Sequence, residues 1–164
     1  MIYIRASIEE DIPNILENLR DSDVEECLIT GSSPEENLRT GLKSKLCFTG
    51  IINGTPEFMF GATRHSDTIG VAWLLGTNKI NENKRDFIKT TPLMWKVISG
   101  SYSYLTNFIP SSNKKSIRWI ESSGGEFKGE VEVKGKKMKQ FVYEVPQTEG
   151  ARYAGAYDSS KESY

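Results

Sequence analysis

The chain has 164 residues, and 21 Lys and Arg against 22 Asp and Glu give it a formal net charge of -1. One compact domain is the usual organisation at this length, and an ordinary hydrophobic core stabilises such a domain without disulfides. The near-neutral charge disfavours a nucleic-acid-binding protein, because such proteins carry excess positive charge. No window approaches the ~18 consecutive apolar residues of a membrane span, so we expect no membrane insertion.

Cysteine and histidine are scarce. Cys27 and Cys47 lie far apart, and His65 is the only histidine, so no metal site is predicted. We interpret both cysteines as reduced core residues, with a disulfide or a reactive thiol as the alternative. The first five residues alternate like a strand and lack the apolar run of a secretory signal, so we expect no export by that route.

The first 45 residues predict a strand followed by helices. Ile2, Ile4 and Ala6 alternate with polar residues, and Ser7 is interpreted as the cap of a first helix. Ser33 followed by Pro34 predicts the start of a further helix that runs to about residue 43. Apolar residues recur at helical spacing at Ile8, Ile12, Ile15, Leu16 and Leu19, and a short turn with Val24, Leu28 and Ile29 ends at Gly31.

The middle and the end of the chain predict mainly strands. Asn53-Gly54 is the pair favoured in type I′ hairpins, and the apolar run over residues 68–75 is typical of a central strand. The later predicted elements are a helix over residues 87–98 in which Pro92 marks a kink or a restart, a strand over 104–109, a helix capped by Asn113, and a hairpin with arms 130–134 and 136–145.

These elements predict an α/β protein with a mixed, largely antiparallel sheet flanked by helices. We place the domain at residues 1–146 and expect a disordered tail over 147–164, which has no Ile, Leu, Val or Phe. Tyr153, Tyr157 and Tyr164 in that tail are either solvated or anchors for a partner.

Two further groups of residues have competing interpretations. Trp73, Trp95 and Trp119 lie in apolar runs, so we expect core packing rather than a stacking platform for bases. The closing hairpin is rich in lysine, which we interpret as protection of an edge strand rather than as a patch for an acidic partner. These lysines are Lys134, Lys136, Lys137 and Lys139.

The order of elements resembles that of the acetyltransferase fold of the GNAT superfamily, as does the opening Ile4-Arg5-Ala6 with Glu10-Asp11-Ile12-Pro13. A more specific similarity, over residues 2–145, is to the GNAT-like proteins of short-tailed phages, including the one needed for assembly of the internal virion core. Its motifs are Trp73-Leu74-Leu75-Gly76-Thr77, Ser112-Asn113, Ile117-Arg118-Trp119-Ile120 and Gly124-Gly125-Glu126-Phe127.

The resemblance implies a role in virion morphogenesis and internal core assembly, with weak or no acetyl transfer. The implied partners are phage structural proteins or a host protein, and the implied location is the host cytoplasm during phage assembly, or the virion. The alternative is an acetyl-CoA-dependent N-acetyltransferase that modifies a host or phage amine. A third hypothesis is an inhibitor of a host enzyme.

Acetyl-CoA, where such a protein binds it, is implied to lie on Leu75, Gly76 and Thr77, near Asn113. The glycine-rich loop that follows this strand in the enzymes is missing here, because Gly76 is the only glycine between Leu75 and Asp86. The basic side chains that follow are either a substitute cradle for phosphate or a solvated turn. These side chains are Lys79, Lys84 and Arg85. The cofactor prediction is therefore none, or acetyl-CoA if the protein is active.

The tyrosine acid of many enzymes in the superfamily corresponds to Ile120 in this chain. Tyr102 or Tyr104 is a candidate substitute, although each also fits the entrance of a strand. Glu57, His65 and Asp67 are the candidate general bases, and none has a recognisable partner. Glu57 and Tyr104 are the two catalytic candidates, and whether the protein is an enzyme stays open.

Overall fold

The computed structural model describes residues 1–147. Seven strands form one sheet in the order β1-β2-β3-β4-β5-β7-β6, and β4 and β5 are its one parallel pair within these residues. The sheet is therefore mixed and largely antiparallel, as predicted. The strands are β1 (Ile2–Ala6), β2 (Cys47–Ile52), β3 (Thr55–Arg64), β4 (Ile69–Gly76), β5 (Tyr104–Pro110), β6 (Glu126–Val133) and β7 (Lys136–Glu144).

Helices cover both faces of this sheet. A 3-10 turn over Glu9–Asp11 leads into the first helix. None of the helices within residues 1–147 is long and apolar enough to cross a membrane. The helices are α1 (Ile12–Glu17), α2 (Asp21–Thr30), α3 (Pro34–Leu42), α4 (Lys79–Glu82), α5 (Lys84–Ser99) and α6 (Lys114–Ser122).

Alternation along β3 divides the core into two layers. Phe58 and Phe60 pack in the cluster that contains buried residues of α5 and α6, such as Trp95 and Ile120. Met59, between them, packs in the cluster formed with α1 to α3, beside Ile15. This arrangement follows from the two-residue period of a strand, which directs successive side chains to opposite faces. Both layers of helices are therefore held to the same strand.

Several local predictions are confirmed by backbone geometry. Asn53 and Gly54 have φ values of 50° and 85°, as a type I′ hairpin requires. Ser33 accepts a hydrogen bond from the amide of Glu36 at 3.1 Å, and so caps α3. Pro92 lies inside one continuous helix, α5, so the chain does not restart there.

Ser7 does not cap the first helix, so that prediction is wrong. Its hydroxyl lies 2.7 Å from that of Thr49 on β2. The amide of Ile8 donates instead to the carboxylate of Asp11 at 2.9 Å, and Arg5 binds the same carboxylate. Asp11 is buried and holds three donors at once, so it replaces the hydroxyl that local spacing favoured.

The predictions for the other side chains have mixed outcomes. Cys27 and Cys47 are both buried free thiols, as predicted. Trp95 is buried, whereas Trp73 and Trp119 are half-buried against the core. The interpretation of the lysines is wrong, because β6 and not the lysine-bearing β7 is the edge strand. The predicted tail from residue 148 onward lies outside the described residues.

Candidate functional site between strands β4 and β5

The strands β4 and β5 separate after a short paired stretch. Their parallel pairs run only from Ile69 with Tyr104 to Val71 with Thr106. A cavity of about 380 Å³ lies where they part, and it reaches both helical layers. Its walls include the apolar Trp73, Phe108, Met138 and Trp119 and the polar or ionisable Asp23, Glu26, Cys27 and Asn37. We refer to this cavity as the β4–β5 cleft.

Asn107 bridges the two strands at the point where they separate. Its side-chain amide donates to the carbonyl of Ala72 on β4 at 2.7 Å. Its side-chain carbonyl accepts from the amide of Phe108, also at 2.7 Å. One side chain therefore satisfies a backbone group on each strand that has lost its partner strand.

The far end of β4 is held by α2. The amide of Gly76 donates to Asp23 Oδ2 at 2.9 Å, and the carbonyl of Gly76 accepts from the amide of Arg20 at 2.9 Å. The Arg20 side chain binds the same carboxylate through Nε and Nη2. Burial raises the pKa of Asp23, and the attraction of Arg20 opposes that rise. Both peptide groups of Gly76 are thus used within the protein.

Strand alternation shows which peptide groups of β4 remain open to the cleft. The peptide groups of Ala72 and Gly76 face the β5 side of β4. Because alternate residues of a strand face the same side, the peptide groups of Leu74, midway between them, also face β5. Leu74 lies beyond the last β4–β5 pair, which is at Val71. Leu75, the predicted cofactor residue, is directed to the other side, where it pairs with Met59 of β3. The sequence pattern did not distinguish these neighbours.

A short helix follows β4 in place of a glycine-rich loop. The amide of Thr77 donates to the carbonyl of Glu57 at 2.9 Å, and the amide of Ile80 donates to the carbonyl of Thr77. Within α4 and just after it, the amides of Asn81 and Asn83 bond to preceding carbonyls in the same way. These amides are consequently turned inward and do not form a cradle for an anion.

Glu26, like Asp23, is an ionisable group of the cleft that the sequence analysis missed. Asn113, which caps α6 through Ser116, also donates its side-chain amide to Glu26 Oε1 at 3.3 Å. Burial, together with the nearby charge of Asp23, raises the pKa of Glu26 to about 7. Asp23 and Glu26 are three residues apart on α2, so a shared helix face was the available signal.

The other predicted residues lie outside the walls of the cleft. Glu57 is buried and accepts hydrogen bonds from Asn14 and Thr77 at 3.1 and 3.0 Å, so it links α1 to the end of β4. Tyr104 is exposed on β5, and His65 is exposed just after β3. Of the predicted site residues, only Leu75 lines the cleft, and Asn113 reaches it through Glu26.

Comparisons with known proteins identify the fold. No protein-family model and no curated sequence matches the chain. The structure is similar to a GNAT-family acetyltransferase from Bacillus anthracis, at 15% identity over 87% of this chain and 94% of that chain, with a TM-score of 0.64. It is similar to the ribosomal-protein-S18-alanine N-acetyltransferase from Escherichia coli, at 13% identity over 90% and 96%, with a TM-score of 0.62.

A third similar structure is that of AAC(6')-Ib in complex with ribostamycin and coenzyme A. It is 18% identical, with 93% of this chain and 96% of that chain covered and a TM-score of 0.64. The chain therefore has the GNAT acetyltransferase fold, which confirms the predicted fold class.

Acetyl-CoA is the cofactor that this fold implies, and the residues present do not fit it. Both peptide groups of Gly76 are bonded within the protein, and so are the amides of Thr77 and Ile80, which follow β4. Two carboxyl groups, those of Asp23 and Glu26, lie where additional negative charge is unfavourable. Between Ala72 and Gly76, Leu74 is the one residue whose N–H and C=O groups face the cleft.

Proposed function

We propose that this protein acts by binding rather than by acetyl transfer, in virion morphogenesis and assembly of the internal core. The observation that carries the proposal is that side chains of the protein itself bond to the edge of β4 that faces the cleft. Asn107 donates to the carbonyl of Ala72, and Asp23 accepts from the amide of Gly76. The motifs around Trp73 and Asn113, which resemble those of phage GNAT-like proteins, support the virion role. The proposed partners are phage structural proteins or a host protein, in the host cytoplasm or the virion.

The energetics of the cleft favour this proposal. A ligand that took the amide of Gly76 would displace Asp23, a buried carboxylate that accepts from Gly76 and Arg20. A hydrogen bond to a charged group contributes about 1.5–3 kcal/mol, and a ligand would exchange one such bond for another. The net gain from binding there is therefore small.

A second candidate function is N-acetyl transfer to a host or phage amine, and Glu26 favours it. A carboxyl group with its pKa raised to about 7 is half-ionised at neutral pH. Such a group can accept a proton from an ammonium ion, which is the work of a general base. Its position in the wall of the cleft is suited to that role.

Complementation of a phage that lacks the gene distinguishes the two functions. We expect the deletion to yield particles without an internal core, and both wild-type protein and the Glu26→Gln variant to restore the core seen by electron microscopy. Glu25→Gln, an exposed neighbour on α2, is the matched control. Core assembly that is lost with a folded Glu26→Gln protein but kept with Glu25→Gln would favour the enzyme, and normal cores in the deletion would refute the virion role.

A further inference from the structure

The strand β6 is a long and exposed edge of the sheet. It has eight residues, and seven of them are exposed. Within residues 1–147, its one neighbouring strand is β7, so its outer edge has no strand beside it. An edge of this kind can add a strand from another molecule, because its outward peptide groups are unsatisfied by the sheet.

The hydrogen-bond pattern of β7 identifies those outward groups. The carbonyl of Lys137 accepts from the amide of Ser111, so the peptide groups of Lys137 face β5. Those of Met138 face β6, where Met138 pairs with Val131. By alternation, Glu130 and Glu132 direct their N–H and C=O groups away from the sheet. They are the two residues that an added strand would bond.

The side chains of β6 differ between its two faces. Val131 and Val133 lie on one face with 47% and 36% of their surface exposed. Glu130 and Glu132 lie on the other face, opposite Lys139 and Lys137 of β7. Over residues 130–133, after Lys128 and Gly129, the edge therefore presents acidic and apolar side chains in alternation.

We propose that β6 binds an extended basic segment of a partner protein, in which lysine or arginine alternates with apolar residues. Basic side chains of the added strand lie beside Glu130 and Glu132, and its apolar side chains cover Val131 and Val133. This inference rests on the proposed function, since a protein that acts by binding needs a surface for its partner.

Charge also argues against the other occupants. A second copy of β6 in antiparallel pairing about Val131 would place Glu130 of each copy beside Glu132 of the other, and like charges on adjacent strands are destabilising. Residues 148–164 carry Arg152 and Lys161 against three acidic residues, so this segment is not basic. A basic strand from another protein is the occupant whose charge complements β6.

The test is amide hydrogen exchange by NMR on the full chain, with synthetic peptides as probes. The main probe is a capped seven-residue peptide in which Lys and Val alternate, and the controls replace Lys by Glu, or Val by Ser. We expect the Lys-Val peptide to slow exchange of the Glu130 and Glu132 amides at least about tenfold. The amides of Val131 and Val133 are already bonded to β7, so we expect them to change little.

Variants separate charge from strand pairing. We expect the double variant Glu130→Gln and Glu132→Gln to bind the Lys-Val peptide about fivefold more weakly. The double variant Glu35→Gln and Glu36→Gln, on the exposed face of α3, is the matched control and should bind like wild type. Equal weakening by both pairs, binding without protection at Glu130 and Glu132, or equal binding of the Lys-Val and Glu-Val peptides would each overturn the proposal.

The outcomes separate this inference from the proposed function. If the peptide does not bind while Glu26→Gln still supports core assembly, the inference on β6 fails and the proposed function stands. If the peptide binds β6 but Glu26→Gln abolishes assembly, the proposed function fails and the binding surface remains.

Discussion

Two carboxyl groups on α2, at Asp23 and Glu26, determine the electrostatics of the cleft. Asp23 binds Arg20 and the amide of Gly76, so its charge is compensated. Glu26 receives a single side-chain amide from Asn113 at 3.3 Å. Burial and the nearby charge of Asp23 raise the pKa of Glu26 to about 7, and the amide of Asn113 and the charge of Arg20 offset only part of that rise. Neighbouring positions on one helix therefore have different chemistry.

The raised pKa of Glu26 makes the free energy of unfolding depend on pH. The folded pKa of about 7 lies above the ordinary value of 4.5, so folding favours the neutral carboxyl. Its contribution to stability is present below about pH 4.5 and is lost as the pH rises through about 7. We expect Glu26→Gln to match wild type near pH 4.5 and to be about 1–3 kcal/mol more stable at pH 8.

Urea unfolding at the two pH values measures this difference, with Glu25→Gln as the control. A Glu26→Gln variant that is no more stable than wild type at pH 8 would contradict the assignment of a raised pKa.

Removal of Asp23 is expected to destabilise the protein strongly. Asp23→Ala leaves the guanidinium of Arg20 and the amide of Gly76 without their acceptor, and the Arg20 side chain is only 15% exposed. Breaking one side of such a buried pair costs about 3–5 kcal/mol. Asp21→Ala, in the exposed first turn of the same helix, should cost less than about 1 kcal/mol. Similar losses in the two variants, measured by urea unfolding, would show that Asp23 is not the link between α2 and β4.

At the scale of elements, α3 lies unusually close to β4. A Cβ atom at Gly41 would lie 2.3 Å from the ring of Trp73, so the helix can approach the strand only because this residue has no side chain. Trp73 in turn forms part of the cleft wall. Packing of the helix thus positions one side of the cleft.

We expect Gly41→Ala to destabilise the protein by about 1–3 kcal/mol, although alanine favours a helix more than glycine does. The strain of overpacking against Trp73 exceeds the gain in helix propensity. The control is Gly129→Ala on β6, where a Cβ atom meets nothing within 4 Å. Thermal unfolding of both variants measures the difference, and a stabilised Gly41→Ala protein would be inconsistent with the close packing.

Local signals in the sequence predicted most of the elements. The Asn53-Gly54 turn and the caps at Ser33 and Asn113 depend on neighbouring residues, and all three are confirmed. The cleft could not be predicted in the same way, because Glu26 meets Asn113 across 87 positions of the chain. The choice between Leu74 and Leu75 depends on which edge of β4 is open, and that requires the sheet topology.

At the scale of the whole molecule, the GNAT fold supplies a cleft whose β4 edge is used by the protein's own groups. Asn107 bonds to the carbonyl of Ala72, and Asp23 and Arg20 bond to the peptide groups of Gly76. The amides of Thr77 and Ile80, which follow β4, are also bonded within the chain. The fold is therefore retained while the carbonyl of Ala72 and both peptide groups of Gly76 are engaged by the protein itself.

Calorimetric titration of the full chain with acetyl-CoA tests this conclusion most directly. Each missing contact to the ligand, where amides are turned inward, costs about 1.5–3 kcal/mol, and the loss of two or three of them moves a micromolar ligand to the millimolar range. We expect a dissociation constant in or above that range. A dissociation constant of tens of micromolar or less, roughly −6 kcal/mol or tighter, would contradict the proposal that the protein acts without acetyl-CoA and would favour the N-acetyltransferase.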